Sequence, residues 1–271
     1  MRRCGLCGSV KIKELFELRD KKIVECSECG LVRTDNFEMP DYEHYHRDKE
    51  YVNCSRLFTN IFRKRFNIIK RYRNGGAVLD VGASSGEMLG IFSGDGWECW
   101  GVEPSVVAQT QRFASIKILR AEFEKVKLPD KYFDVVVLNH TLEHMMDPVL
   151  VMKKVGNVLK KGGIVLVDVP NFGSLSRKVL GRSWPYLLPE EHLWHFTPES
   201  MKKVFEKAGL EVIHWESRSG IFEYANALGD LLLSLITFKK RFFYNLAGAP
   251  GAFISTVLNK GTSFSMVGKR L

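Results

Sequence analysis

The chain lacks any run of about 20 uncharged apolar residues, which excludes an ordinary membrane-spanning helix. Its longest apolar stretch, Ile221 to Lys260, is broken by Asp230, Lys239, Lys240 and Arg241, and again by Ala249-Pro250-Gly251. The opening MRRCGLCGSV has no apolar core of the kind a secretory leader needs, so the expected compartment is the cytoplasm. Cysteine is scarce, with six in 271 residues, and no spacing partners Cys54 or Cys99. Acidic residues are missing from Val52 to Arg73, where Arg56, Arg63, Lys64, Arg65, Lys70, Arg71 and Arg73 supply seven cations. Leu57, Ile61, Phe62, Phe66 and Ile69 recur there at helical spacing, which predicts a helix with an apolar face on the core and a basic face outside.

What is present is an ordinary globular composition, 45% hydrophobic and 26% charged, long enough for one sizeable core and a small accessory module. The net charge of +9 is uneven. Residues 76–220 carry 17 Lys+Arg against 18 Asp+Glu, whereas residues 1–75 carry 17 against 11 and residues 221–271 six against two. A near-neutral centre with basic ends assigns charge to docking rather than to chemistry.

The four remaining cysteines form two pairs, Cys4-x2-Cys7 and Cys26-x2-Cys29, 18 residues apart and each followed by glycine. Sulfurs three positions apart reach one ion only if the backbone turns tightly, and glycine allows that turn. Two such knuckles predict a structural zinc ribbon over residues 1–40, a closed four-sulfur site without an open position for water. Disulfides are the competing reading, which a cytoplasmic location disfavours. Residues 41–75 follow as a linker, DYEHYHRDKEY, bearing Tyr42, Tyr45 and Tyr51, and the basic helix.

From Ala77 the pattern alternates strand and helix, as in a parallel sheet covered on both faces. Expected strands are Ala77–Val81, Glu98–Val102, Lys117–Leu119, Asp134–Leu138, Ile164–Val169, Leu210–Trp215 and Phe264–Lys269. Expected helices are Gly86–Ser93, Ser105–Phe113, Pro148–Leu159 and Pro198–Ala208. The first strand runs into a small-residue turn, VLDVGASSGEML, whose Gly82 to Gly86 fits three machines. A serine-hydrolase elbow normally follows several strands that build its oxyanion hole, and here it would sit on the first. A dinucleotide loop needs G-x-G-x-x-G, but Ser84 and Glu87 stand where the second and third glycines belong. A donor without phosphates and with a cationic sulfonium tolerates nearby acids. Asp80 ends the first strand, and Glu103, 21 residues after Gly82, ends the second and can accept both hydroxyls of a ribose.

With these residues placed, Val52 to Leu271 resembles a class I S-adenosylmethionine-dependent methyltransferase. The resemblance implies a Rossmann-like seven-stranded sheet with an antiparallel last strand, for which FSMVGKR is suited. It also implies a donor pocket of Asp80, Gly82, Ala83, Gly86, Glu103, Pro104, Glu122, Phe123 and Asn139, Glu122 and Phe123 beside the adenine. Ser84 departs from the family's usual glycine but is small, and Ser85 can offer a hydroxyl to the donor's carboxylate.

Methyl transfer is an in-line displacement in which alignment dominates, with a proton acceptor needed for a hydroxyl, amine or carbon acid. WPYLLPEEHLWHF resembles a recurrent histidine-bearing segment of the family, so His192 and His195 are candidates, with Glu191 orienting a neighbouring ring, and His140 is a third because it lies nearer the methyl position that the resemblance implies. His144 is expected to cap or pack locally. Ribbon, tyrosine linker and catalytic domain together resemble deoxysugar C-methyltransferases, which implies a small-molecule or sugar-type acceptor, nucleotide- or lipid-linked. Two alternatives stay open: an RNA methyltransferase docking through ribbon and basic helix, and a non-catalytic donor-binding protein. The 221–260 insertion reads equally as a membrane-surface hairpin, an interface between subunits or a lid.

Overall fold

The computed structural model describes residues 3–38, 55–106, 115–226 and 240–271. Tyr42, Tyr45, Tyr51, Cys54, most of the Ser105–Phe113 helix and part of the 221–260 insertion lie outside the described residues.

The larger sheet holds β4 (Ala77–Val81), β5 (Glu98–Val102), β6 (Ile116–Leu119), β7 (Phe133–Asn139), β8 (Leu159–Pro170), β10 (Leu210–Arg218) and β11 (Ser263–Arg270). Their order is β10-β11-β8-β7-β4-β5-β6, with β11 antiparallel to both neighbours and β4 to β8 mutually parallel. This is the Rossmann-like methyltransferase sheet, last strand antiparallel. Period-two alternation divides its side chains between two cores. Val78, Val135 and Val137 face α1 (Ser55–Lys70) and α2 (Glu87–Gly94), against Phe62, Ile68, Ile69, Leu89 and Phe92. Leu79, Val136 and Leu138 face α3 (Pro148–Val158) and α5 (Pro198–Lys207), against Val151, Met152, Val155, Met201 and Phe205.

Local chemistry sets the helix starts. Asp147 caps α3 by accepting from the amides of Val149 and Leu150, with Pro148 opening the helix. Thr197 and Ser200 form a reciprocal capping box before α5, again with proline first. α4 (Leu175–Leu180) and α6 (Lys240–Val257) complete the helices of the described residues. The chain reverses direction of sheet growth between β4 and β7, so the crevice at their carboxyl ends is where such a sheet binds ligands.

The smaller sheet is β1 (Ile12–Leu18), β2 (Lys21–Cys26), β3 (Val32–Asp35) and β9 (Trp194–His195), all antiparallel. Its fourth strand comes from much later in the chain, with Val32 opposite His195 and Arg33 opposite Trp194. The cysteine module is therefore hydrogen-bonded into the segment that precedes α5. Lys203 of α5 adds a bond from Nζ to the Cys29 carbonyl, 2.8 Å.

The basic helix differs from expectation. Arg65 is 3% exposed and donates to Asp168, 1% exposed, at 2.9 Å. Lys70 pairs with Asp95 at 2.7 Å, and Arg73 donates to the carbonyls of Tyr72 and Gly162. Arg65 is thus spent inside the molecule, because Asp168, distant in sequence, meets it there, while the Lys70–Asp95 pair is part-exposed and Arg63 and Arg71 stay outside.

Candidate active site and cysteine cluster

Asp80 is the penultimate residue of β4, and after Val81 the chain turns through Gly82 (φ +78°), Ser84 (φ +48°) and Gly86 (φ +85°) into α2. A Cβ on Gly82 would stand 2.6 Å from Oγ1 of Thr141, whose hydroxyl donates to the Val81 carbonyl. The turn is held open by Glu103 at the end of β5. Its Oε2 accepts from the Ser84 amide (2.8 Å) and its Oε1 from the Ser105 amide (2.9 Å). Each oxygen keeps a further lone pair, which suits two ribose hydroxyls. Ala83 and Ser85 are buried and Pro104 half-buried beside it. Ser84 Oγ and Asn139 Oδ1 are buried without a hydrogen-bond partner among the described residues, as expected where a polar ligand supplies the missing partner. Glu122 is exposed and paired with Lys125 at 2.7 Å, while Phe123 is buried beneath it with Lys154 Nζ 5.0 Å from its ring. The residues present thus fit S-adenosylmethionine.

Burial, reinforced by Glu103, pushes the Asp80 carboxyl up to about 8. Without donor the folded chain holds a proton that the unfolded chain loses near its ordinary carboxylate value. This contribution to stability falls as pH rises from about 4 to about 8. A sulfonium or ammonium beside Asp80 favours the carboxylate, so donor binding at pH 7 is expected to release a proton and to tighten toward pH 8. Calorimetry in two buffers of unequal ionisation enthalpy measures that proton; equal apparent enthalpies would exclude it.

The first of the candidate histidines follows the carboxyl end of β7. His140 (φ +53°) has Nδ1 3.4 Å from Glu143 and Nε2 3.5 Å from Asp168. Burial opposes its charge, but Glu143 and then Asp168 outweigh that and raise its proton affinity. His192 is the reverse case: burial, then His144 and His195, holds it well below the usual imidazole range. Burial and Arg177 push His195 down to about 3. Thr34 of the cysteine module donates its hydroxyl to the His192 carbonyl (2.8 Å), so His195 Nε2, 3.0 Å away, donates to Thr34 Oγ1. His195 is a bolt between the cysteine module and a lid, residues 184–196. Glu191 does orient a ring, through its backbone carbonyl, which accepts from His144 Nδ1 at 2.8 Å.

Thr34, Thr141, Glu143 and Asp168 were not singled out from the sequence. Glu143 adjoins His144 in LEHMMDP and was the one with a local signal; the others act across more than 50 residues.

The sulfurs of Cys4, Cys7, Cys26 and Cys29 all lie within 4.8 Å of one another. Cys4 and Cys29 are 3.4 Å apart and Cys7 and Cys26 3.5 Å, none joined as a disulfide. Four thiolates about 2.3 Å from one ion in tetrahedral array stand about 3.8 Å apart, so the cluster fits zinc after slight expansion. Gly8 (φ +75°) and Gly30 (φ +74°) return their amides to the Cys4 and Cys26 carbonyls and close the two knuckles.

A seven-stranded sheet of this order, with an acid-flanked glycine turn at its switch point, defines the class I S-adenosylmethionine-dependent methyltransferases. The chain belongs to the methyltransferase-domain family, whose signature matches residues 49–215. It is 28% identical over 154 residues to a "probable S-adenosylmethionine-dependent methyltransferase" of Mycolicibacterium smegmatis, covering 56% of this chain and 57% of that protein. It is also 28% identical over 192 residues to the ubiquinone/menaquinone biosynthesis C-methyltransferase UbiE of Burkholderia mallei, covering 58% of this chain and 76% of that one. In fold it resembles a chain from the complex between the Haloferax volcanii Trm112 methyltransferase activator and a methyltransferase. That likeness has a TM-score of 0.59 at 17% identity, over 84% of this chain and 96% of that one.

Proposed function

We propose that this chain moves the methyl group of S-adenosylmethionine to a small-molecule acceptor of sugar type. The donor would lie against Asp80, Gly82, Ala83, Gly86, Glu103, Pro104, Glu122, Phe123 and Asn139, and the acceptor against His140 and His192, with His195 securing the lid. When bound, the donor supplies an activated methyl on sulfur; the chain orients it, excludes water and positions the acceptor. A zinc ion in the cysteine cluster would serve structure alone.

The observation that carries this reading is the packed segment that bears His192. Trp184, Leu187, His192, Leu193, Trp194, His195 and Phe196 are all buried, Trp184 and Leu187 against Ile23 and Val32 of the cysteine module, and a close-packed cover of this kind suits a slim acceptor group better than a folded polynucleotide. The pairing of Arg65 with buried Asp168, and of Arg73 with the Gly162 carbonyl, also takes cations from any RNA-binding face. Transfer of isotope from labelled donor to a panel of nucleotide sugars, lipid-linked sugars and ribosomal RNA tests it. Label is expected in a sugar. Label in RNA would overturn the reading, and donor binding without transfer to any acceptor would favour a non-catalytic role.

A lipid-linked acceptor is favoured by one further observation. Phe253, Ile254, Val257 and Leu258, on and just past α6, expose their apolar side chains, and in the sequence the cations Lys239, Lys240 and Arg241 precede them. No described helix is long and apolar enough to cross a membrane. Full-length protein is expected to float with anionic vesicles, and a Phe253→Ser/Ile254→Ser variant to stay below; equal recovery of both in the soluble fraction would remove membrane contact from the proposal.

A further inference from the structure

Glu143 is a carboxylate where none is easily kept. It is 1% exposed, and neither oxygen receives a hydrogen bond from the described residues. A buried carboxylate left in that condition is costly. His140 Nδ1, 3.4 Å from Oε1, offsets part of the cost and leaves Oε2 unanswered.

Two other rings converge on the same carboxylate. Ligand atoms of Glu143, His144 and His192 lie within 4.8 Å of one another. The two imidazoles meet edge to face, centroids 4.8 Å apart. Both are held alike, His144 Nδ1 at 2.8 Å from the Glu191 carbonyl and His192 Nδ1 at 3.2 Å from the Tyr186 carbonyl. A carbonyl only accepts, so each Nδ1 donates, and Nε2 is the nitrogen by which either ring can ligate a cation. Imidazoles that bind metals are oriented in this way, the second nitrogen donating to a carbonyl or carboxylate. The Leu193 amide donates to the Glu143 carbonyl at 3.0 Å, which fixes the spacing between the two halves of the cluster.

We propose that Glu143, His144 and His192 form a second metal site, separate from the cysteine cluster, for a divalent first-row transition cation. Two imidazole nitrogens and one carboxylate oxygen suit manganese, iron, cobalt, nickel or zinc and give no preference to thiolate-seeking ions. Three protein ligands leave positions for oxygens, those of water or of an acceptor bearing neighbouring hydroxyls. That last assignment rests on the function proposed above; binding of the cation does not.

Full-length protein retaining its cysteine-bound zinc, titrated with Mn2+ and followed by the loss of the free-ion resonance signal, tests the site. One Mn2+ per chain is expected, with zinc content unchanged by elemental analysis. Glu143→Gln and His192→Gln are each expected to weaken uptake by more than about tenfold, the lower bound for losing even an orienting partner. Should either variant fail to fold, His144→Gln and the wild-type stoichiometry decide. Co2+ added in the same way should give the weak absorption of nitrogen and oxygen ligands without thiolate charge transfer. No uptake by the wild type, or equal uptake by the folded variants, would overturn the proposal, whatever the outcome of the acceptor panel.

Discussion

Gly82→Val is expected to reduce donor affinity by at least about 100-fold, equivalent to about 2.8 kcal/mol. Two costs combine. The backbone at Gly82 has φ +78°, a region that costs an L-residue about 1–2 kcal/mol and a β-branched one more. The added Cβ would also stand 2.6 Å from Oγ1 and 2.9 Å from Cγ2 of Thr141. Thr141 cannot yield freely, because its hydroxyl bonds the Val81 carbonyl at 2.9 Å. The turn must therefore move away from the position that Glu103 fixes through the Ser84 amide, and the donor's contacts move with it. Calorimetric titration of the donor measures the loss, and a thermal melt separates it from global unfolding. Ser84→Ala is the control, since Ser84 Oγ has no partner among the described residues; its donor affinity and turnover should stay within a few-fold of wild type. Loss of turnover in Ser84→Ala with donor affinity intact would return this serine to the part of a nucleophile.

The donor half of the site was legible in the sequence because its determinants are local. A buried strand, a small-residue turn and an acid at the next strand's end are read within Val78 to Glu103, and the structure sets these parts at one end of adjacent strands. The antiparallel strand at FSMVGKR was legible for the same reason. Arg65 was not. It looks like its cationic neighbours, and only Asp168, 103 positions away, distinguishes it. β9 escaped notice because two residues carry no periodicity, and its pairing with β3 spans the chain. β8 begins at Leu159 rather than Ile164, since LKKGG reads as a turn while Leu159 pairs with Phe133 across a bulge. Long-range pairing is what sequence pattern leaves unspecified, and here it decides where His192 and His195 are held.

That pairing makes the cysteine cluster the second lever. Loss of its metal is expected to abolish methyl transfer, by more than about 100-fold, while donor affinity changes by only a few-fold. Structural zinc in small modules supplies about 10–16 kcal/mol of apparent folding free energy, far above what the short strands β1 to β3 can replace. Without it β3 cannot hold β9, and three bonds to the lid go together: the Thr34 amide to the Leu193 carbonyl, the Thr34 hydroxyl to the His192 carbonyl, and His195 to Thr34. Trp194, packed on Gly5, loses that cover and keeps only its bond to the Met145 carbonyl. His192 then loses its fixed place beside His144, and a displacement of about 1 Å in a positioning group costs about 100-fold in rate. The donor turn is spared because Asp80 on β4, and Gly82 and Glu103 just past the ends of β4 and β5, belong to strands that are not paired with the smaller sheet. Cys26→Ser is the variant of choice, since a chelator would also strip a cation from Glu143, His144 and His192. Hydrogen exchange should rise in residues 184–196 and stay low in 77–86. Normal turnover by a Cys26→Ser protein shown to be free of zinc would refute the coupling and leave the cysteine module as a separate appendage.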